Sequence, residues 1–581
     1  MHQMRFAPLA AALLLVGCAS AKAQPATTLT TNRAPVTACA ALKGAPLPVA
    51  GTIVSAEPRA AGPIKGGPGQ GPGDAPAHCE ITGRLLERAG ANGQTYAIKF
   101  QLRLPDAWNG RFFFQGGGGS NGAIGNAIGP LMGAQPSNAV SQGYAVVSQD
   151  SGHDNDVNRD PARQGEVTFG WDPQARADYG GASIPPVAAT AKALIARYYG
   201  RGPQFSYYVG GSKGGQEGFM AVQRYATLFD GVLAGYPGFR LADAGGVGQM
   251  WDAQAMAEAA RAMGAMAADG QPLLNKALTD DDLLLVSGAV LKACDGLDGL
   301  EDGIIEAFPA CNTARVAPAL TAITCAGAKA ADCLAPAQVA ALRKIFDGAK
   351  GPDGRLLYAD WPWDAGIAYR NPQGAVSGGW RMWKLGPYAS PTNTGLAVVL
   401  GGKSASAVFT SPPTEVADDP GALTRYSLGV NVVENARKGR VKWGALNQSS
   451  VDFMNADSGD LSEFNRRGGK LLIYHGVSDP VFSINDTIAW LEKVNVMDRG
   501  QASKFVRLFP VPGMNHGQGG PATDQFDAFG ALVAWRERRP SPRRGRGPAR
   551  PGPGAPACCA PGRSSRVIKA ATRRARRRSV A

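Results

Sequence analysis

The chain has 581 residues, a hydrophobic fraction of 44%, a charged fraction of 18% and a formal net charge of +14. That length can bury a large core and suits one large domain with an insertion, or two domains. The charge is concentrated at the end of the chain: from Pro540 to Ala581 twelve residues are Arg or Lys and none is Asp or Glu, so removing those twelve leaves the body at about +2 and no nucleic-acid partner is expected.

Residues 1–23 read as an export signal. Arg5 precedes a short apolar run, Ala7 to Val16, that is too short to span a membrane. Two processing readings stay open. Leu15-Val16-Gly17-Cys18 has the form of a lipoprotein box, which would leave Cys18 lipid-anchored, and Ala21-Lys22-Ala23 offers ordinary cleavage before Gln24. The expected location is therefore secreted or periplasmic, or tethered to the outer membrane through Cys18 alone. Export makes the cysteines readable as disulfides. Of the nine, six lie in the body, and closure of the shortest loops pairs Cys39 with Cys79, Cys294 with Cys311 and Cys325 with Cys333 as loop staples.

From Gln24 to His78 the chain is rich in Pro and Gly, broken by an apolar stretch at Gly51 to Ala56. Tyr96 to Leu104 alternates apolar and polar residues, the pattern of a half-buried strand. Arg111-Phe112-Phe113-Phe114-Gln115 reads as a buried strand that runs into Gly116-Gly117-Gly118-Gly119-Ser120-Asn121-Gly122. A glycine run in that position lets backbone amides approach a reacting carbonyl, so the Gly117 and Gly118 region is a candidate oxyanion donor. Gly143 to Asp150 is a further strand, and Pro185 to Tyr199 an amphipathic helix with prolines at its start.

The stretch Tyr207-Tyr208-Val209-Gly210-Gly211-Ser212-Lys213-Gly214-Gly215 then takes an apolar strand through a glycine-flanked serine into a helix. A Gly-x-Ser-x-Gly turn of this kind thrusts the serine hydroxyl out of a sheet, and the amide of the next residue, Lys213, opens the helix with no intrahelical acceptor. A second Gly-x-Ser-x-Gly occurs at Gly118 to Gly122, but Gly125 and Gly129 follow it and would weaken any helix there. Ser212 is thus the candidate nucleophile. Gly231 to Tyr236 is the next strand, and alternating strands and helices predict an α/β chain with a doubly wound, mostly parallel sheet.

From Pro237 to Phe464 that rhythm fails, and residues 237–464 are read as a large inserted lid domain that divides the catalytic domain into 24–236 and 465–537. Rhythm returns at Lys470 to Gly476 and Phe505 to Phe509, with a last helix from Asp524 to Trp535. Residues 538–581 are a basic tail, disordered by composition. The abrupt change after Trp535 has the character of a frameshifted, GC-rich reading rather than of a selected arm.

In a doubly wound hydrolase the acid and base sit on loops after later strands, in the order serine, acid, histidine. Asp479 follows the strand ending at Tyr474, and His516 follows the next. Of five histidines, His2 lies in the signal, His78 abuts Cys79, His153 precedes the serine and His475 stands too close to Asp479, which leaves His516 as the base.

These residues resemble the tannase and feruloyl esterase family. The resemblance rests on Gly210 to Gly215, Gln223-Arg224-Tyr225, Phe229-Asp230-Gly231, Ala234-Gly235, His475-Gly476 with Asp479, and Asn515-His516, and it covers roughly Cys39 to Trp535. It implies an exported α/β-hydrolase with a lid, a carboxylic ester hydrolase acting on esters of aromatic acids such as ferulate or gallate. The family also includes an enzyme that hydrolyses mono(2-hydroxyethyl) terephthalate, so activity on that ester, or general carboxylesterase activity, is the alternative. The implied triad is Ser212, Asp479 and His516, with oxyanion amides from Lys213 and the Gly117 and Gly118 region and no cofactor for catalysis. A structural calcium is implied in the lid, held by Asp295, Asp298, Asp302 and the carbonyls of Leu300 and Ile304, a closely spaced oxygen donor set on a glycine-rich loop. One departure stands out. Where the family usually carries a cysteine before the serine and another after the histidine, this chain has Gly211 and Gly517.

Three further expectations concern specificity and rivals. The Lys213 ammonium could favour substrates carrying a carboxylate or phenolate, or could point into solvent. Trp361, Trp363, Trp380 and Trp383 in the lid could wall an aromatic acyl group, or could be core. A lipase or peptidase of the same fold, or a catalytically dead binding scaffold, are the rival readings.

Overall fold

The computed structural model describes residues 33–66, 71–371 and 373–537. The export signal with Cys18 and the basic tail lie outside the described residues.

Nine strands form one sheet: β1 (Gly51–Arg59), β2 (His78–Ala89), β3 (Thr95–Pro105), β4 (Arg111–Gln115), β5 (Ala145–Gln149), β6 (Phe205–Gly211), β7 (Gly231–Gly235), β8 (Lys470–Gly476) and β9 (Val506–Val511). Their order is β1-β2-β3-β5-β4-β6-β7-β8-β9. From β5 to β9 every pairing is parallel, while β1, β2 and β3 run antiparallel, with β3 antiparallel on β5. This is the α/β-hydrolase fold, a mostly parallel, doubly wound sheet. The antiparallel edge was not foreseen. β2 and β3 are joined by a short turn at Gly90 to Gln94, which suffices for an antiparallel pair, whereas the parallel strands need long crossovers.

The sheet is covered on both faces, and the triple phenylalanine in β4 shows why its central strands are apolar throughout. Phe112 and Phe114 point to the side of α1 (Ile184–Tyr199), α2 (Lys213–Gln223) and α3 (Ile484–Met497), meeting Leu194, Phe219 and Trp490. Phe113 points to the other side, where α4 (Ala528–Glu537) supplies Phe529 and Leu532. Alternation within a strand buried on both faces leaves no polar position to read.

Between β7 and β8 the chain is chiefly helical, with one two-stranded ladder of Tyr369–Arg370 and Val376–Ser377. The core of this region, built on residues such as Met256, Val286, Leu342 and Trp363, is continuous with Val477, Val481 and Phe482 on the loop after β8. The inserted residues therefore pack directly on a loop of the candidate site. Three disulfides, Cys39–Cys79, Cys294–Cys311 and Cys325–Cys333, have Cα separations of 5.5, 5.6 and 5.0 Å and are the pairings that loop closure favours. They suit an extracytoplasmic chain. No described helix is long and apolar enough to cross a membrane.

Candidate active site

Ser212 sits at the junction of β6 and α2 with φ 61° and ψ −120°, a left-handed conformation that a serine adopts only when its surroundings enforce it. The enforcement is visible at Gly214, where a Cβ would lie 2.6 Å from the carbonyl oxygen of Gly117, so the helix backbone and the glycine loop touch. The second Gly-x-Ser-x-Gly belongs to that loop and opens no helix.

His516 and Asp479 come to Ser212 from the loops after β9 and β8. His516 Nε2 lies 2.9 Å from Ser212 Oγ, and His516 Nδ1 lies 2.9 and 3.0 Å from the two Asp479 oxygens. Asp479 Oδ1 also accepts from the amides of Val481 at 2.8 Å and Phe482 at 3.2 Å. Burial works against the Asp479 carboxylate, yet His516 and His475 hold it well below the usual carboxylate range. It therefore stays ionised, which fixes the proton on His516 Nδ1 and turns Nε2 to accept from Ser212. His475, set aside in the sequence for its closeness to Asp479, does approach it, with Nε2 3.4 Å from Asp479 Oδ2. Its ring is engaged by Thr487 and the carbonyl of Phe482, each at 3.0 Å, and it supports the acid from behind.

The structure corrects the expectations for Lys213. Its side chain reaches neither substrate nor solvent: it is 1% exposed, with Nζ 2.9 Å from Glu217 Oε1 and 4.5 Å from the ring centroid of Tyr179. Glu217 in turn takes the amide of Gly117 at 3.3 Å. Of the two candidate loop amides, Gly117 is thus committed to Glu217, which leaves Gly118 as the remaining candidate.

Three aromatic rings surround His516: Tyr236 at 4.6 Å, Phe482 at 5.6 Å and Trp383 at 5.9 Å between centroids. Trp383 is half-buried and donates to Gln249 at 3.1 Å, whereas Trp361, Trp363 and Trp380 are core residues. Tyr236 fills the space between Gly211 and Gly517. A Cβ on Gly211 would lie 2.4 Å from its ring and one on Gly517 2.3 Å, so the two glycines that depart from the family pattern are the two that the ring requires.

Asp364, from the inserted region, accepts from Ser478 Oγ at 2.7 Å and from the amide of Gly513 at 2.6 Å. One buried carboxylate thereby ties the loop of the acid to the loop of the base, and burial pushes it up to about 6. Glu217, Tyr236 and Asp364 were all missed in the sequence. The four-residue spacing of Lys213 and Glu217 was the one available signal.

The acidic loop has an all-oxygen donor set that suits a hard cation. Here Asp295 accepts from Gly303 at 3.1 Å, Asp298 from Leu300 at 3.0 Å and Glu306 at 2.9 Å, and Asp302 from Ile304 at 3.2 Å. Among the described residues no three acidic, histidine or cysteine side chains form a metal-holding group.

The profile of the family described as tannase and feruloyl esterase matches residues 79–547. The mono(2-hydroxyethyl) terephthalate hydrolase of Piscinibacter sakaiensis is 42% identical over 478 residues, covering 80% of this chain and 77% of that protein. A probable feruloyl esterase B-1 of Aspergillus flavus is 27% identical over 502 residues, covering 82% of this chain and 81% of that protein. The crystal structure of feruloyl esterase B from Aspergillus oryzae matches in fold, with a TM-score of 0.60 at 22% identity over 86% of this chain and 90% of that one.

Proposed function

The chain belongs to the tannase and feruloyl esterase family and is a carboxylic ester hydrolase, and from that premise we propose that it releases aromatic acids from their esters through an acyl-enzyme on Ser212. The observation that carries the reading is the hydrogen-bonded row Ser212, His516, Asp479. Ser212 Oγ attacks the ester carbonyl as His516 Nε2 takes its proton, and the Asp479 carboxylate stabilises the imidazolium. The oxyanion forms at the amides of Lys213 and Gly118. Collapse returns the proton from His516 to the departing alcohol, and water, activated by the same histidine, then frees the acid. Trp383 and Tyr236, half-buried beside His516, offer faces for an aromatic acyl group, and residues 237–464 act as the lid that carries Trp383.

The relatives supply two acids. Ferulate or gallate esters are the first reading, and the relative at 42% identity favours a terephthalate half-ester as the second. Purified protein is incubated with methyl ferulate, methyl gallate, mono(2-hydroxyethyl) terephthalate and p-nitrophenyl butyrate beside Ser212→Ala, following acid release. Selective release of one aromatic acid, lost in the variant, is expected. Turnover of butyrate alone would replace the proposal with a general esterase.

A structural calcium belongs to the same proposal, with Asp295, Asp298, Asp302 and the carbonyls of Leu300 and Ile304 as its holders. It would stabilise the lid and take no part in the reaction. A chelator should lower the melting temperature and added calcium restore it; an unchanged melting curve, with no calcium by elemental assay, would remove the ion from the proposal.

A further inference from the structure

Glu217 is 1% exposed, and its carboxylate is met from four separate segments. Oε1 lies 2.9 Å from Lys213 Nζ, 3.0 Å from Asn121 Nδ2 and 3.2 Å from Ser151 Oγ. Oε2 lies 2.5 Å from Tyr208 Oη and 3.3 Å from the amide nitrogen of Gly117. These partners belong to β6, to α2, to the glycine loop and to the segment after β5. Asn121 is bonded to Ser151 as well, and Tyr179, under the Lys213 ammonium, donates to the carbonyl of Gly119 at 3.0 Å.

The two amides read as oxyanion donors stand on different bodies, Lys213 on the helix and Gly118 on the loop. Nothing in the covalent chain sets the distance between them, and donors must meet the oxyanion within a few tenths of an ångström to act. The Glu217 carboxylate is hydrogen-bonded to both bodies at once, to Lys213 on the helix and to Gly117 and Asn121 on the loop. We propose that Glu217 is a positioning residue, a buried strut that fixes the span of the oxyanion hole, and that Lys213 neutralises it so that the strut does not repel the developing oxyanion. The inference rests on the reading of Ser212 as nucleophile and deepens it. The charge balance is visible in the pair itself: burial pushes Glu217 up and Lys213 down, but the Lys213 ammonium and the Tyr208 hydroxyl hold Glu217 below its ordinary range, so the carboxylate keeps its charge opposite the ammonium. A lysine directly after a nucleophile is then explained without any contact to substrate.

The test compares the full-length enzyme with Glu217→Gln, Glu217→Ala and the neutral double variant Lys213→Met with Glu217→Gln. Fluorophosphonate labelling to completion counts active sites in each, and kcat and KM are expressed per labelled site on p-nitrophenyl butyrate. Affinity for phenylboronic acid, which forms a tetrahedral adduct at the serine, is measured in parallel. Loss of hold on one oxyanion donor should lower kcat per site on the order of 10²-fold in Glu217→Ala, less in the two glutamine variants, with KM within about twofold. Boronate affinity should fall by a matching factor. A fold-stabilising role alone would lower the labelled fraction and leave kcat per labelled site within about threefold of the parent, with boronate affinity unchanged, and either result overturns the proposal. Failure of the parent enzyme to label at Ser212 would instead overturn the nucleophile reading on which it rests.

Discussion

The two halves of the site are held by different means. On the nucleophile side, Ser212 is braced by polar groups of the sheet and its own helix, centred on the buried pair Lys213 and Glu217 four residues apart. On the acid and base side, Asp479 and His516 lean on residues distant in sequence: Asp364 and Trp383 from the inserted region, and Tyr236 from the end of β7. The first bracing lies mostly in the strand, helix and glycine loop around Ser212, and the inserted residues reach it through backbone groups, the amide of Gly238 donating to the Ser212 carbonyl at 3.2 Å and the carbonyl of Met454 accepting from Gln216 at 2.9 Å. The second takes side chains from the inserted region, Asp364 and Trp383, so a disturbed insertion should reach the base more directly than the nucleophile.

The largest effect comes from breaking the link between acid and base. Asp479→Asn keeps the shape of the site but removes the charge that fixes the His516 tautomer, and kcat should fall on the order of 10⁴-fold. Steady-state rates beside melting curves check this; a loss below about tenfold would mean that another group orients the imidazole, and His475 would be the first suspect. The next effect isolates Tyr236. Gly211→Ala puts a methyl group against the Tyr236 ring and should destabilise by about 1–3 kcal/mol, the range for overpacking. In a Tyr236→Ala background the same substitution should cost clearly less, since the ring is gone and the remaining close contact, 2.7 Å to Met132 Cε, is the end of a flexible side chain. Urea midpoints of the four proteins give the coupling, and additive effects would show that the ring is not what keeps position 211 a glycine.

The same contrast explains what the sequence disclosed. The elbow was legible because its cause is local: a strand, a strained serine and a helix follow one another without a break from Phe205 to Gln223, and glycine marks the close approaches. Asp479 and His516 followed from chain order and from the scarcity of histidine. The three disulfides followed from short loops. The supports of the base were not legible, because Tyr236, Asp364 and Trp383 carry no local mark and gain their roles only when the chain folds back. Four tryptophans looked alike in sequence, and burial alone separates Trp383 from the other three. Lys213 misled for the opposite reason, since a charge beside a nucleophile suggests substrate contact until its partner at Glu217 is seen.

The smallest expected effect tests how the base side responds to mild acid through Asp364. Asp364 is held near 6, well above the roughly 3.9 of a free aspartate, because burial disfavours its charge. The folded protein therefore binds this proton more tightly than the unfolded chain does. Its contribution to stability is full below about pH 4, fades as pH rises through about 6 and is absent at neutral pH, so acidification from pH 7.5 to 5 should strengthen the fold through this group. The upper bound is about 3 kcal/mol, the worth of a shift of roughly two pKa units. Oδ1 of Asp364 is buried with no hydrogen-bond partner among the described residues, which leaves a place for the proton. Asp178 and Asp486, which burial likewise pushes up to about 6, respond over the same interval, so Asp364→Asn should remove its own share of the rise in the urea midpoint and leave theirs. The strut at Glu217 should add nothing there, because it is held below its ordinary range and stays charged throughout. A midpoint in Asp364→Asn that still rises as much as the parent's between pH 7.5 and 5 would place the response elsewhere and dissolve the distinction between the two halves.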